Sequence, residues 1–193
     1  KKDAKAYCHL PRRYYQNYND LKKIIQKTEL QLRINVFGGN NGIGCNAIHY
    51  LDLFEYLTES NICKNIFSLT EDNEYDRRGP DYKDVNGFLI IENDKMDQLS
   101  IYFDPTFRAG VTEVIEIGDE KYVFSSRAKK EFQFKNNNIL KKEFEILFAN
   151  KLTETIIQDI IHGVCKLPTV KQTKNAHSYV FKIINKTLGM KTD

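Results

Sequence analysis

Ile91 and Leu99 stand eight positions apart, each inside a short apolar run, with Asp94 and Lys95 between them. A parallel pair of strands needs a crossover of about a dozen or more residues. Two strands this close along the chain therefore run antiparallel. The same spacing recurs over 86–135, with runs at 88–91, 99–103, 111–117, 121–124 and 132–134, and Gly118-Asp119 as one of the turns between them. This is the pattern of an antiparallel meander. It argues against a doubly wound parallel sheet, which places a helix between successive strands.

Elsewhere the apolar period lengthens. Leu21, Ile24 and Ile25, behind Asn19 or Asp20 as a cap, predict a helix over 20–29. Leu32, Ile34 and Val36 alternate with Gln31, Arg33 and Asn35 and predict a strand. Ala47, Ile48, Leu51, Phe54 and Leu57 share one face of a second helix, with Cys45 at its first turn. After Asn136-Asn137-Asn138, the stripe Leu140, Phe144, Leu147, Leu152, Ile156, Ile160 and Val164 predicts a long amphipathic helix from about 139 to 162, ended by Gly163 or Pro168. A short helix or strand over 179–184 closes the chain. The polar segment 70–84, punctuated by Gly79-Pro80, predicts a long surface loop. The expected organisation is α+β in one domain, 1–193. It comprises a basic, Tyr-rich arm (1–20), a helix–strand–helix unit with Cys45 (21–60), the antiparallel sheet (86–135) and a helical C-terminal part (139–193).

Composition removes several classes. Lys and Arg number 29 against 26 Asp and Glu, a net charge of +3, which gives no general reason for a nucleic-acid or membrane partner. Only the arm, with Arg12, Arg13, Tyr7, Tyr14, Tyr15 and Tyr18, interleaves bases with rings as single-stranded nucleic acid requires, and packing on the domain is its plainer role. No apolar run approaches the roughly 20 residues that span a bilayer. Lys1 to Lys5 lead into no apolar signal region. Cys8, Cys45, Cys63 and Cys165 show neither a C-x-x-C nor zinc-finger spacing, so reduced thiols, a cytoplasmic location and no metal are expected.

The chemistry centres on Cys45. A helix N-terminus carries about half a positive charge, favours a thiolate, and offers N–H groups to an oxyanion. Asn40 and Asn41 lie just upstream and add possible donors. Asp104 follows an apolar strand and precedes Pro105, where it is placed to orient a base. The segments Gly42-Ile43-Gly44-Cys45-Asn46-Ala47-Ile48-His49-Tyr50-Leu51, Asn86, and Ile101-Tyr102-Phe103-Asp104-Pro105-Thr106-Phe107 resemble the transglutaminase-like branch of the papain-like cysteine superfamily. The resemblance implies a papain/transglutaminase-like fold, with a helical lobe carrying the nucleophile and an antiparallel sheet carrying the acid. It makes Cys45 the nucleophile, Asp104 the residue orienting the base, and Asn86 the match to the Asn of H-A-W-N. The implied activity is cofactor-free acyl transfer on a protein or peptide: proteolysis, deamidation or transglutamination, with the 70–84 loop as substrate contact. The family's histidine position holds Lys83, or Phe88 or Leu89 in a shifted register. His177 is then the candidate base, His9, His49 and His162 being less well placed, and a degenerate member is one expected form.

A second reading uses the strand, glycine loop and helix over 34–44. Gly38, Gly42 and Gly44 give the G-x-x-x-G-x-G spacing that resembles short-chain dehydrogenases and the first motif of S-adenosylmethionine methyltransferases. It implies S-adenosylmethionine on the glycine loop, Glu71 or Asp72 on the ribose, and Asp104-Pro105-Thr106-Phe107 as the D-P-P-Y/F-like motif. The short 91–99 connection and the lack of Tyr-x-x-x-Lys count against it. A non-catalytic interaction module is the third reading. One observation discriminates sharply: a parallel order of 32–37 and 99–103 excludes the cysteine enzyme.

Overall fold

The computed structural model describes residues 5–39, 42–72, 83–107, 110–144, 146–147 and 149–190. Its elements are α1 (Gln16–Ile25), β1 (Leu32–Gly38), α2 (Ile43–Thr58), β2 (Ile62–Asp72), β3 (Asp84–Asn93), β4 (Gln98–Phe103), β5 (Thr112–Ile117), β6 (Glu120–Ser125), β7 (Lys130–Lys135), β8 (Asn138–Glu143), α3 (Ala149–Ile161) and α4 (Val170–Thr187). The strands form one sheet in the order β2-β3-β4-β1-β5-β6-β7-β8.

Five strands, β3 to β7, fall on the apolar runs of the meander, and their sequential neighbours pair antiparallel where they meet. β1 lies between β4 and β5, antiparallel to β5 and parallel to β4, with Ile34 opposite Leu99. The parallel pair is sterically allowed because α2, β2 and β3 supply the long crossover. It is also the arrangement that excludes the papain/transglutaminase-like class. α2 does not sit in a separate helical lobe but packs on β3 and β4. The fold is a mixed eight-stranded sheet with helices on one face.

The buried side of that sheet follows the period of two. Leu32, Ile34 and Val36 of β1 face Leu99, Ile101 and Phe103 of β4, and α2 presses Ala47, Leu51 and Phe54 onto them. Each large side chain so buried contributes about 1.5–3 kcal/mol before entropy is counted. α1 begins earlier than expected, after Tyr15, because Tyr15, Tyr18 and Leu21 form its buried face. Tyr18 packs against Tyr15, Phe124 and Phe144, so the rings of the arm are core residues.

Two further expectations change. The single helix over 139–162 is instead β8 followed by α3. Asn136 and Asn137 both have positive φ (48° and 60°), the conformation of a two-residue type I′ turn, and they fold β8 back on β7. Leu140 and Phe144 matched a helical step only by coincidence. β2 lies at the sheet edge with most of its residues exposed, so it lacks a clear apolar alternation. At the far end, α4 is a full helix of 18 residues, opened by a capping box between Thr169 and Gln172. Among the described residues no helix is long and apolar enough to cross a membrane.

The arm is fastened by a buried ion pair. Arg12 Nη1 donates to Glu113 Oε1 at 2.8 Å and to the Tyr18 hydroxyl at 3.0 Å, while its guanidinium lies 4.2 Å from the Tyr50 ring centroid. Tyr18 also donates to Glu113. Burial opposes the Arg12 charge, yet Glu113 and the surrounding tyrosines keep its pKa above the ordinary value. Removing one partner of such a pair strands the other. Glu113→Leu is expected to cost about 3–5 kcal/mol in urea denaturation, and Arg12→Met added to it to recover most of that loss.

Candidate functional site

β1 and β4 end side by side at Gly38 and Phe103, and the Asp104 N–H donates to the Gly38 carbonyl at 3.1 Å. β1 and β4 run parallel, so their carboxyl ends open on the same edge of the sheet, the edge where open α/β sheets gather ligands. The glycine loop leaves β1 at this point. Gly42 caps α2 with φ of 61° and offers no side chain to its first turn. The missing cap comes from β3. Asp84, 1% exposed, accepts from Gly44 N–H at 2.6 Å and from Val85 N–H at 2.7 Å. A β-carbon on Gly44 would lie 2.7 Å from Asp84 Oδ1, and one on Gly42 would overlap the carboxylate. These glycines therefore make room for the chain's own acid.

That assignment changes the meaning of both sequence readings. A helix end that already holds a buried carboxylate repels a phosphate or an oxyanion. Cys45 is the third residue of α2 and half-buried, but it shares the first turn with Asp84. Asp104 Oδ1 accepts from Thr106 Oγ1 (2.7 Å) and N–H (2.9 Å), and Oδ2 accepts from the Tyr102 hydroxyl (3.0 Å). Those bonds, led by the Thr106 hydroxyl, hold its carboxyl below the usual range and close a local turn. His177 sits in α4 with Nδ1 2.9 Å from the Thr173 carbonyl and its ring beside Phe181. Asp104 and His177 thus spend these bonds on other partners. Asn86 is buried in β3. Asp72 ends β2 in register with Asp84. Asn40, Asn41 and most of the 70–84 loop lie outside the described residues.

A different group converges one turn further along α2. His49 is half-buried, and its pKa falls to about 4, through burial first and then through Arg12, His9 and His177. The N-terminal segment reaches it along α4: Cys8 N–H donates to the Pro168 carbonyl at 2.8 Å, and Cys8 Sγ lies 3.2 Å from Thr173 Oγ1. On the next turn Asp52, 1% exposed, accepts both Nε and Nη2 of Arg13 at 3.0 and 2.6 Å. Burial raises the Asp52 pKa and Arg13 opposes the rise. Burial and Asp52 push Glu55 up to about 7. Among the described residues no three His, Cys, Asp or Glu side chains are grouped to hold a metal. Sequence reasoning set His49 aside as less well placed than His177 and missed Asp84. The polar sequence Cys45, His49, Asp52 and Glu55, at steps of three and four inside an otherwise apolar helix, was the available signal for the first.

No protein-family model and no curated protein sequence matches the chain. Solved structures do. UDP-N-acetylglucosamine 3-dehydrogenase GnnA from Acidithiobacillus ferrooxidans aligns with a TM-score of 0.68 and 10% identity over 95% of this chain and 63% of its own. A super-repressor mutant of Gal80p from Saccharomyces cerevisiae gives 0.66 and 11% over 97% and 64%. The dehydrogenase MviM from Clostridium difficile gives 0.62 and 16% over 93% and 61%. The chain thus spans less than two thirds of each. What is shared is the fold, and two of these three structures are named as dehydrogenases. This overturns the transglutaminase-like resemblance and with it the cysteine acyl-transfer and methyltransferase readings. The expectations of no cofactor or of S-adenosylmethionine fall for the same reason.

Two measurements test this geometry. Gly44→Ala is expected to destabilise the protein by about 1–3 kcal/mol through overpacking against Asp84, and to cost far less in an Asp84→Ala background. The second concerns pH. The His49 pKa is lowered from 6.5 to about 4, so its contribution to stability is present above 6.5 and lost as pH falls towards 4. The Glu55 pKa is raised from 4.5 to about 7, so its contribution is present below 4.5 and lost as pH rises through 7. The two slopes oppose each other. His49→Gln should therefore leave a urea midpoint that falls as pH rises through this window, and Glu55→Gln one that rises.

Proposed function

We propose that this chain forms the substrate-side, proton-handling part of a nicotinamide-dependent oxidoreductase acting on a hydroxyl-bearing small molecule. The observation that carries the reading is His49. An imidazole with a pKa of about 4 is neutral at physiological pH, so it has a lone pair available for the proton that an alcohol loses on becoming a carbonyl. Arg12, His9 and His177 lie within electrostatic reach and favour negative charge on the reacting oxygen. Burial against α2 and α4 limits water at the ring.

The dinucleotide does not fit the described residues. The helix end after the glycine loop holds Asp84, and a pyrophosphate placed there would meet a buried negative charge. One parallel strand pair also falls short of the two mononucleotide-binding halves that a dinucleotide spans. In this reading the hydride acceptor is held by a separate dinucleotide-binding unit, in keeping with the longer chains of the structural neighbours. A sugar or polyol is the substrate class, supported by neighbours named as a UDP-N-acetylglucosamine dehydrogenase and an aldose-aldose oxidoreductase. Four free cysteines and a nicotinamide pool suit a cytoplasmic setting.

The test is a ligand titration of the chain followed by thermal shift and histidine NMR. Glucose and myo-inositol are expected to raise the melting temperature and move the His49 ring signals, and His49→Gln to abolish the effect. NAD or NADP alone should leave the melting temperature unchanged. Stabilisation by nucleotide alone, or sugars that leave the His49 signals unmoved, would refute the assignment.

A further inference from the structure

A second polar cleft lies between α1 and strands β6 to β8, and it shares no residue with the His49 group. It encloses about 340 Å³, near the lower end of the range for small-molecule sites. At its centre is Glu131 of β7, 2% exposed. A carboxylate offers about four lone-pair sites, and burying its charge is costly without an opposite charge. Asn17 Nδ2 and Gln133 Nε2 donate to Glu131, the latter at 2.6 Å, and both are neutral amides. The first turn of α1 adds its partial positive charge, but no backbone N–H among the described residues bonds to the carboxylate. Half of its bonding capacity is therefore open, and its charge has no cationic partner.

The natural partner stands beside it. Lys142 of β8 is directly opposite Glu131 in register and lines the same cleft. Across the same two strands, Lys130 does pair with Glu143. Glu131 instead turns under α1 to Asn17, and Lys142 stays exposed, with no ion pair among the described residues. The other two charges of the lining are already taken, Lys135 by Glu120 and Asp20 by Lys23. The cleft thus presents one negative and one positive group without ionic partners, on adjacent strands whose facing Cβ atoms are about 5 Å apart. Leu21 and Ile24, on the same side of α1 as Asn17, add an apolar wall.

We propose that this cleft binds a free α-amino acid with an aliphatic side chain. The ligand's ammonium group donates to the open lone pairs of Glu131, and its carboxylate accepts from the Lys142 ammonium. Both are charge-assisted hydrogen bonds, about twice as strong as neutral ones. An α-amino acid carries its two charges on one carbon, a separation that suits two side chains on adjacent strands. A neutral sugar would leave both charges unmatched, and an amine or a carboxylic acid alone would leave one. The aliphatic side chain lies against Leu21 and Ile24, whereas an acidic one would meet Asp20. This site needs none of the chemistry proposed for His49.

Isothermal titration calorimetry of the whole chain with L-leucine tests the site. Leucine is expected to bind one-to-one. Isopentylamine and 4-methylpentanoate, each lacking one of the two charges, should bind at least about tenfold more weakly. Lys142→Gln, at an exposed position, should weaken leucine by about tenfold and leave isopentylamine unchanged, because the amine never used that lysine. Glu131→Gln should weaken leucine at least as much, with far-UV circular dichroism reporting whether the fold is kept; if it is not, the Lys142 variant and the two truncated ligands still decide. No heat from leucine up to about 10 mM would overturn the inference, since weaker binding is not a site. Equal affinities for leucine and isopentylamine, or leucine binding that survives Lys142→Gln at full strength, would overturn it as well. Binding that His49→Gln abolishes would place the ligand in the other site and also overturn it.

Discussion

A carboxylate from one strand enters the first turn of the central helix, and much of the covered face depends on that contact. Helix α2 begins at a glycine that cannot cap it, and the orphan N–H group at Gly44 is satisfied by Asp84, forty residues away along the chain. Because the carboxylate needs space, the turn after β1 has to be glycine-rich. Because the helix starts there, Cys45, His49, Asp52 and Glu55 come round on successive turns. Asp52 then holds Arg13, and the buried pair of Arg12 and Glu113 holds the neighbouring residue of the arm. Replacing a buried charge pair with apolar side chains is often tolerated, but removing one member is not. This explains why an arm that reads as detachable is packed into the core.

The sequence announced the local parts of this arrangement well and the non-local parts poorly. Runs such as 88–91 and 99–103 carry their strand identity in their own spacing, and their short connection dictates an antiparallel turn. Nothing within 32–38 says which strands will flank it, since β4 and β5 are chosen by burial across the whole sheet. The glycine loop misled for a related reason. Glycine shows that something approaches the backbone closely, but not whether it is a cofactor's phosphate or an aspartate of the same chain. Cys45 was correctly placed at a helix end, but the acid that shares the end lies beyond any local window. The run 139–147 failed through ambiguity: three apolar residues fit a helix, while the paired positive φ at Asn136 and Asn137 decides for a hairpin.

The fold is shared at 10–16% identity with dehydrogenases and with a repressor of the same architecture. That spread is physically reasonable, because a sheet core accepts most apolar side chains of the right volume. Activity is set by a few polar groups placed on a scaffold, and architecture alone does not choose among uses. The His49 environment is the feature on which the proposed function rests. Its low pKa is generated by burial and by three nearby cationic or cationisable groups, none of which belongs to the sheet.

The position of β1 has a consequence for how the chain reaches this state. Ile34 is opposite Leu99 on one side and Ile115 on the other, so both partners are more than sixty positions away. The hairpins β3–β4 and β5–β6–β7–β8 close over short loops and can form early. The strand that joins them into one sheet must wait for both, because its loops are long and its contacts repay their entropy only when both neighbours are present. The middle of the finished sheet is therefore the last place to be filled, and the speed of folding is governed by an insertion step.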